Sequence, residues 1–205
     1  EVASRSYGDP RIIGVLSDAV FDMVNGGSLG VKLRDELQVT EKTYFEVAKL
    51  KTAALFRAAS KIGAICGGGD QNKINLMSRF GTTLGIAFQI KDDLLGLIGK
   101  EEETGKPVNS DLRNREKTIM AIHALNNARG SDAETLRKFF SKDSGNQISP
   151  DKVKEIFERS GSVEYAIERS WSLVGEAKKE IENLPDNEAK KTLLYISDFA
   201  VTRSR

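Results

Sequence analysis

Two adjacent acidic residues, Asp92 and Asp93, are the part of this sequence best suited to carry chemistry. They lie in a largely apolar stretch, residues 81–99, and at about 100° per residue they share one narrow helical face with Gln89 and Gly96. A helix that is apolar in its other directions is buried nearly all round, and an unpaired buried carboxylate is very costly. An Asp-Asp pair on a helix is most often solvated surface, but the apolar flanks here favour a wet cavity or a bound cation. We interpret this face as a metal-binding stripe.

A second candidate site is the pair Lys51-Thr52. On a helical wheel Lys51 falls in the middle of an apolar stripe formed by Val47, Ala48, Ala54, Leu55, Ala58 and Ile62. A lysine centred on a buried face needs an anionic partner or must lose its proton, and the first case predicts an anion-binding role. The alternative is that the side chain of Lys51 extends past its small neighbours to solvent. The helical pattern alone leaves both readings open.

A third candidate is Lys106, in the segment 104–112 that follows the aspartate pair. Gly105 and Pro107 flank it, so the segment is predicted to be a loop. Loops of mixed charge usually lie on the surface, and by itself this signal for a binding residue is weak.

The elements that must position these residues are predicted to be helices throughout. Helix starts are expected at Asp9-Pro10, Thr40, Asp70, Ser131, Ser149-Pro150 and Ser162, and helix ends at Gly26-Gly27 and at residues 67–69. No stretch shows the alternation of apolar and polar residues that strands require. The sequence therefore predicts a single all-α domain over residues 1–205.

The segment from Phe88 to Gly96 resembles the second aspartate-rich motif of the trans-type isoprenyl (polyprenyl) diphosphate synthases, and the resemblance extends from about Val2 to the C-terminus. Members of that family are all-α enzymes that couple isopentenyl diphosphate to an allylic diphosphate, with magnesium held by two aspartate-rich helices. The resemblance implies a prenyltransferase that makes a longer trans-polyprenyl diphosphate, built as a helical bundle around a central cavity of the isoprenoid synthase type.

The resemblance also implies roles for individual residues. Asp92 would be the direct ligand of Mg²⁺, supported by Asp93, and the hard oxygen donors without a His or Cys cluster favour magnesium over zinc. The implied catalytic residues are Lys51, Thr52, Gln89 and Lys106, and the implied substrate-binding residues are Lys51, Thr52, Phe88, Gln89, Lys106 and Lys117. Arg203 and Arg205 resemble a basic C-terminal end that closes over the site in that family.

Three positions depart from the family pattern. Gly96 stands where the motif normally has a third aspartate, and Glu116 stands where a lysine usually follows the Asp-Leu pair. Ser28 replaces a glutamine whose amide reaches further. These departures suggest one rival interpretation, a non-catalytic partner subunit of a heteromeric synthase. A second rival also stays open: a helical protein that binds a lipid or a partner helix without diphosphate chemistry.

The first aspartate-rich motif of the family is expected to lie before Glu1, so that the N-terminal part of the fold is missing from these residues. Asp18 and Asp22 are spaced i, i+4 but resemble no such motif, and we interpret them as surface or interface carboxylates. On this view the 205 residues alone should show no condensation activity.

Composition restricts the class of protein further. Lys plus Arg is 31 and Asp plus Glu is 30, so net charge gives no argument for nucleic-acid binding. The single cysteine, Cys66, excludes an internal disulfide framework and fits a reducing compartment. We find no run apolar enough to span a bilayer and no secretory signal, and therefore expect a cytoplasmic protein without stable membrane insertion. The family resemblance implies a homodimer.

Overall fold

The computed structural model describes residues 8–34, 36–98, 109–141 and 148–204, and every regular element within these ranges is helical. In chain order they are α1 (Pro10–Leu33), α2 (Glu41–Ala48), a π-helical segment (Lys49–Ala53), α3 (Ala54–Cys66), α4 (Gln71–Ile98), α5 (Ser110–Arg113), α6 (Ile119–Asn127), α7 (Gly130–Phe140), α8 (Pro150–Arg159), α9 (Ser162–Glu180) and α10 (Glu188–Thr202). The all-α prediction is confirmed.

Helix α4, which carries the aspartate pair, contributes to three separate clusters of buried side chains. Near its start Ile74 packs in a cluster with residues of α1 and α3. Further along the helix, Phe80 and Leu84 pack in a second cluster with residues of α9 and α10. Its C-terminal half supplies Ile90 and Leu94 to the largest cluster, together with α6, α7, α8 and α9. The prediction of a helix with neighbours nearly all round is confirmed.

Glycines set the closest helix contacts around this core. A Cβ atom at Gly85 would lie 2.5 Å from the Cα atom of Ala53, and one at Gly26 would lie 2.5 Å from the backbone nitrogen of Lys51. The expectation that Gly26-Gly27 ends the first helix is wrong, because α1 continues to Leu33. Gly26 permits close approach of α1 to the π-helical segment. Glycine serves both close packing and helix termination, so the residue type alone does not distinguish the two.

Most of the predicted helix starts have the expected side-chain cap. Asp9, Thr40, Asp70 and Ser149 each accept a hydrogen bond from a backbone N–H group two or three residues later. The capping box at Ser131 is wrong: α7 begins one residue earlier, at Gly130, and the carbonyl of Ser131 accepts a bond from the Thr135 hydroxyl.

Among the described residues, α1 is the one helix that is long and apolar enough to cross a membrane, so the expectation that no segment meets this criterion is wrong. Ile12, Val15 and Ala19 nevertheless pack in a protein cluster with residues of α3. Core helices meet the same test of length and composition, and this one is weak evidence for insertion.

Candidate active site

A cavity of about 260 Å³ lies between α1, α2, the π-helical segment, α4 and residues 116–118. Four of the predicted site residues line it: Lys51, Gln89, Asp93 and Lys117. Its remaining walls are mainly apolar, with Val31, Val39, Val47 and Ala48 among them. A concave apolar space with a few convergent polar groups is typical of a small-molecule site.

A row of side-chain hydrogen bonds reaches one wall of this cavity, which Gln89, Asp93 and Tyr44 line and Thr52 does not. The Thr52 hydroxyl donates to Oε1 of Gln89. Nε2 of Gln89 donates to Oδ1 of Asp93 over 2.7 Å, which is possible because the two residues are four apart on α4. On its other oxygen, Oδ2, Asp93 accepts a bond of 2.8 Å from the hydroxyl of Tyr44. The structure therefore brings three predicted site residues together.

Sequence reasoning missed Tyr44, the fourth member of this row. It lies in α2, two helical turns before Lys51, and it lines the cavity. That spacing places it on the side of the helix where Lys51 was expected, and a tyrosine hydroxyl in an apolar stripe was the signal that could have identified it.

Asp93 is buried, with 6% of its surface exposed, and this burial dominates its electrostatics. Burial raises the pKa of the Asp93 carboxyl from 3.8 to about 7. The hydrogen bonds that Asp93 accepts oppose the rise in pKa, whereas the charges of Asp111 and Asp92 add to it. Burial and the charge of Asp93 also raise the pKa of Tyr44 well above its usual value, so the phenol remains protonated. Three carboxyl groups, those of Asp92, Asp93 and Asp111, thus lie close enough to affect one another.

The neighbouring carboxylate, Asp92, does not line the cavity and lies beside a cation. Nη2 of Arg203 lies 3.3 Å from Oδ1 of Asp92, and its guanidinium carbon lies 3.9 Å from the centre of the Phe88 ring. The Arg203 side chain is only 9% exposed, and its Nε has no hydrogen-bond partner among the residues that the structure describes. The basic C-terminal residue predicted to close over the site thus lies against the metal motif. Phe88, a predicted substrate-binding residue, is covered by Arg203 and does not line the cavity.

Lys51 lines the cavity but is an exposed residue, so its predicted place on a buried face is wrong. Leu55, expected on the same stripe, is 50% exposed, whereas Ala53 and Ala54 are fully buried. The cause is the π-helical segment, whose i→i+5 pattern changes the angle between its residues and those that follow. A wheel drawn at a constant α-helical angle misplaces this part of the chain.

Lys117 lines the cavity from the opposite side, and its surroundings are largely protein. Its ammonium donates to the carbonyls of Leu33, over 3.3 Å, and of Arg34, at the C-terminus of α1. Cations are favourable at such helix ends. Beside it Glu116, the departure from the family lysine, pairs with Arg34 over 2.7 Å. A substrate-binding role for Lys117 stays a prediction, and Lys106 lies outside the described residues.

Gly96, where the family motif has its third aspartate, makes room for another carboxylate. A Cβ atom at Gly96 would lie 2.7 Å from Oδ2 of Asp111, which belongs to α5. Asp111 therefore occupies space next to α4 that a side chain at position 96 would need.

The donors present fit magnesium as part of a coordination shell. Within residues 8–34, 36–98, 109–141 and 148–204, no group of three or more His, Cys, Asp or Glu side chains is arranged to hold a metal ion. Magnesium, however, usually keeps several waters and takes one or two carboxylates plus substrate phosphates. Asp92 and Asp93 supply that number of hard oxygen donors, in a region where the raised pKa of Asp93 shows the cost of uncompensated negative charge.

Asp22 and His123 both have partners within the fold. Asp22 accepts a hydrogen bond from Arg57 and so links α1 to α3, as expected of a carboxylate outside the metal site. His123 is 2.9 Å from the Ser162 hydroxyl and stacks on Tyr165, which supports a structural role.

The polyprenyl synthetase family model matches residues 2–159. The chain is 38% identical over 191 residues to a short chain isoprenyl diphosphate synthase of Methanothermobacter thermautotrophicus, covering 93% of this chain and 58% of that protein. It is 32% identical over 201 residues to the geranylgeranyl diphosphate synthase of Sulfolobus acidocaldarius, covering 95% of this chain and 59% of the relative.

Solved structures agree with these sequence matches. A decaprenyl diphosphate synthase from Rhodobacter capsulatus superposes with a TM-score of 0.87 at 30% identity, over 98% of this chain and 62% of that one. A polyprenyl synthase from Caulobacter crescentus, complexed with calcium and isoprenyl diphosphate, gives a TM-score of 0.91 at 26% identity, over 98% and 61%. The chain thus spans about three fifths of the length of the proteins it matches.

Proposed function

The chain belongs to the polyprenyl synthetase family, and from this premise we propose that it forms the metal- and diphosphate-binding wall of a prenyltransferase. The proposed reaction condenses isopentenyl diphosphate with an allylic diphosphate to give a longer trans-polyprenyl diphosphate. The observation that carries this proposal is the hydrogen-bonded row of Thr52, Gln89 and Asp93, of which Gln89 and Asp93 line the cavity together with Lys51.

Each of these side chains has a task that its position supports. Lys51 presents positive charge to the cavity, where it would bind the oxygens of the allylic diphosphate and stabilise the negative charge that develops on them. Thr52 and Gln89 would orient groups next to the forming allylic cation. The apolar wall would exclude the water that otherwise reacts with such a cation. Lys106 is proposed to contact the leaving diphosphate on the strength of the resemblance alone.

Asp92, with Asp93 in support, would hold Mg²⁺ in this site. When bound, the metal would neutralise charge on the leaving diphosphate. The two aspartates differ in their contacts: both oxygens of Asp93 accept bonds from neutral protein donors, whereas Asp92 is paired with a cation. This difference supports Asp92 as the direct ligand. The polyprenyl synthase of Caulobacter crescentus was crystallised with calcium, another hard divalent cation.

We further propose that the protein is a cytoplasmic homodimer, as the family resemblance implies. In support, α1 has an apolar face without a partner among the described residues, on which Val20, Phe21 and Val24 are all more than 60% exposed. Analytical ultracentrifugation tests the dimer, and a monomer at micromolar concentration would contradict it.

A non-catalytic partner subunit is the second candidate, and one observation favours it. Glu116 and Lys117 are engaged with Arg34 and with the carbonyls at the end of α1, where the family pattern leads one to expect a lysine for substrate. Turnover of a labelled allylic diphosphate with isopentenyl diphosphate and magnesium, by the full-length protein alone, separates the two candidates. Product from the single protein supports the enzyme, and product only on addition of a second subunit supports the partner role.

The binding proposal is tested by calorimetry with inorganic diphosphate in the presence and absence of magnesium. We expect binding that depends on magnesium, loss of that dependence in Asp92→Ala, and no change in Asp18→Ala, which removes an exposed carboxylate of α1. Lys51→Met should weaken diphosphate binding several-fold, whereas Lys49→Met, in the same π-helical segment, should not. Equal affinity in wild type and Asp92→Ala would refute the metal assignment. Absence of any diphosphate binding would favour a helical protein without diphosphate chemistry.

A further inference from the structure

We propose that Tyr44 is a positioning residue of this site, whose hydroxyl fixes Asp93 and through it holds the Gln89 amide in a single orientation at the cavity wall. This inference rests on the proposed function for its meaning, but its geometry stands on the structure alone. Tyr44 is not part of any of the motifs that the sequence displays, and its contribution is the bond to Asp93.

The phenol of Tyr44 is buried beside the cavity. Tyr44 is 7% exposed, and its ring packs edge-on against Phe45 at 5.7 Å between centroids. A buried tyrosine hydroxyl needs a hydrogen-bond partner, and here that partner is Oδ2 of Asp93 at 2.8 Å. The bond joins α2 to α4, two elements that approach each other next to the cavity.

The Asp93 carboxylate is held on both of its oxygens. Its Oδ1 accepts the bond from Gln89, and its Oδ2 accepts the bond from Tyr44. A carboxylate turns readily about its last side-chain torsion, which has broad energy wells. With donors on both oxygens that rotation would break a hydrogen bond in a buried setting, at a cost of about 1–3 kcal/mol. The Tyr44 hydroxyl therefore fixes the plane of the carboxylate.

Asp93 in turn determines the orientation of the Gln89 amide. A glutamine amide can turn over and exchange its oxygen with its nitrogen, and the two ends differ chemically. Here Oε1 accepts from the Thr52 hydroxyl and Nε2 donates to Asp93. With Asp93 ionised, the reversed amide would point its oxygen at the carboxylate, so that two acceptors would face each other. A fixed Asp93 thus dictates which end of Gln89 meets Thr52, and leaves the second N–H of Gln89 available in the cavity that it lines.

A second phenol–carboxylate pair in the same protein shows what a structural pair lacks. The Tyr165 hydroxyl donates to Glu41, and that carboxylate is also bound by Arg169 at 3.2 Å. None of these three residues lines the cavity. Tyr165→Phe is therefore the matched control, since it removes the same atom from the same type of bond without a connection to Gln89.

The test follows the side-chain amide signals of Gln89 by ¹H–¹⁵N nuclear magnetic resonance, identified by their absence in Gln89→Ala. We expect one pair of signals in wild type and in Tyr165→Phe, and shifted or doubled signals in Tyr44→Phe. Unchanged Gln89 signals in a folded Tyr44→Phe would overturn the proposal. This readout needs no ligand, so it stands even if the proposed function fails.

Binding of magnesium with inorganic diphosphate provides the functional readout. Tyr44→Phe should weaken it roughly tenfold, the change expected from loss of a bond to a charged group. In the Gln89→Ala background the same change should have a smaller effect, since only the part that acts on Asp93 alone remains. Losses that simply multiply in the double variant would overturn the proposal.

If Tyr44→Phe does not fold, 3-fluorotyrosine at position 44 takes its place. It keeps the ring and the hydroxyl but makes the phenol a stronger donor, so the Gln89 signals should still shift. Signals identical to those of wild type would overturn the proposal here as well.

Discussion

The two halves of α4 meet their neighbours in different ways. In the first half, Gly81 and Gly85 leave no room between helices: a Cβ at Gly81 would lie 2.5 Å from the Phe56 carbonyl oxygen. In the second half, Asp92 and Asp93 are held by polar side chains. The first half is fixed by shape against rigid backbone and the second by hydrogen bonds and charge. We therefore expect the first to respond to added volume, and the second to pH and cations.

The largest effect is expected from Gly85→Ala. The new methyl group would meet the backbone of Ala53, which cannot rotate away, and such overpacking costs about 3 kcal/mol or more of unfolding free energy. Urea denaturation measures this cost. The control is Gly63→Ala in α3, where a Cβ meets nothing within 4 Å; it should be neutral or gain up to about 1 kcal/mol from helix propensity. Similar stabilities for both variants would contradict the distinction.

The next effect concerns pH and Asp93. A carboxyl whose pKa is about 7 in the folded protein and near 3.8 in the unfolded chain binds more protons when folded. The unfolding free energy without metal should therefore fall as pH rises from about 4 to about 7. Asp93→Asn should lack this part of the fall. Urea denaturation of both proteins in chelator across that range measures it, and parallel pH profiles would show that Asp93 is not responsible.

A smaller effect is expected from Gly96→Ala, in the second half of α4. The added methyl group would meet Oδ2 of Asp111, the end of a side chain that can turn, so we expect a loss of about 1 kcal/mol. In an Asp111→Ala background the same substitution should cost less, because the obstacle is gone. Equal costs in both backgrounds, again by urea denaturation, would mean that Asp111 is not what Gly96 accommodates.

The smallest effect is expected from Arg203→Met. A cation that binds Oδ1 of Asp92 competes with the guanidinium of Arg203, so removal of Arg203 should tighten the binding of Mn²⁺, used as a paramagnetic substitute for magnesium, roughly threefold. Arg159→Met removes an exposed ion pair with Asp132 and serves as the control. Unchanged or weaker Mn²⁺ binding in Arg203→Met would contradict this competition.

Patterns that follow from local physics were predicted well from the sequence. The burial of α4 follows from its apolar residues, and the caps at Asp9, Thr40 and Ser149 follow from a side chain that reaches its own backbone. The polar row of Gln89 and Asp93 follows from their i, i+4 spacing on one helix. Each of these depends on residues that are close in the chain.

Features that depend on contacts between distant segments were not predicted. Gly26 is a helix-ending signal by type, and only the approach of the Lys51 backbone shows that it serves packing. Lys51 was misplaced because nothing local distinguishes a π turn from an α turn. The partner of the Tyr44 hydroxyl is 49 residues away, and the Glu116–Arg34 pair joins residues 82 apart. Such distances exceed what periodicity can reveal.

The π-helical segment Lys49–Ala53 is equivalent to one residue inserted into an otherwise continuous helical rod between Thr40 and Gly67. Deleting a single residue there would restore a regular α-helix without interrupting the rod. It would also turn everything before the deletion by about 100° relative to everything after it. The hydroxyl of Tyr44 would then point away from Asp93, while Thr52 kept its place opposite Gln89. The extra residue thus sets the rotation of α2 relative to α3. The alignment of the cavity wall depends on that rotation.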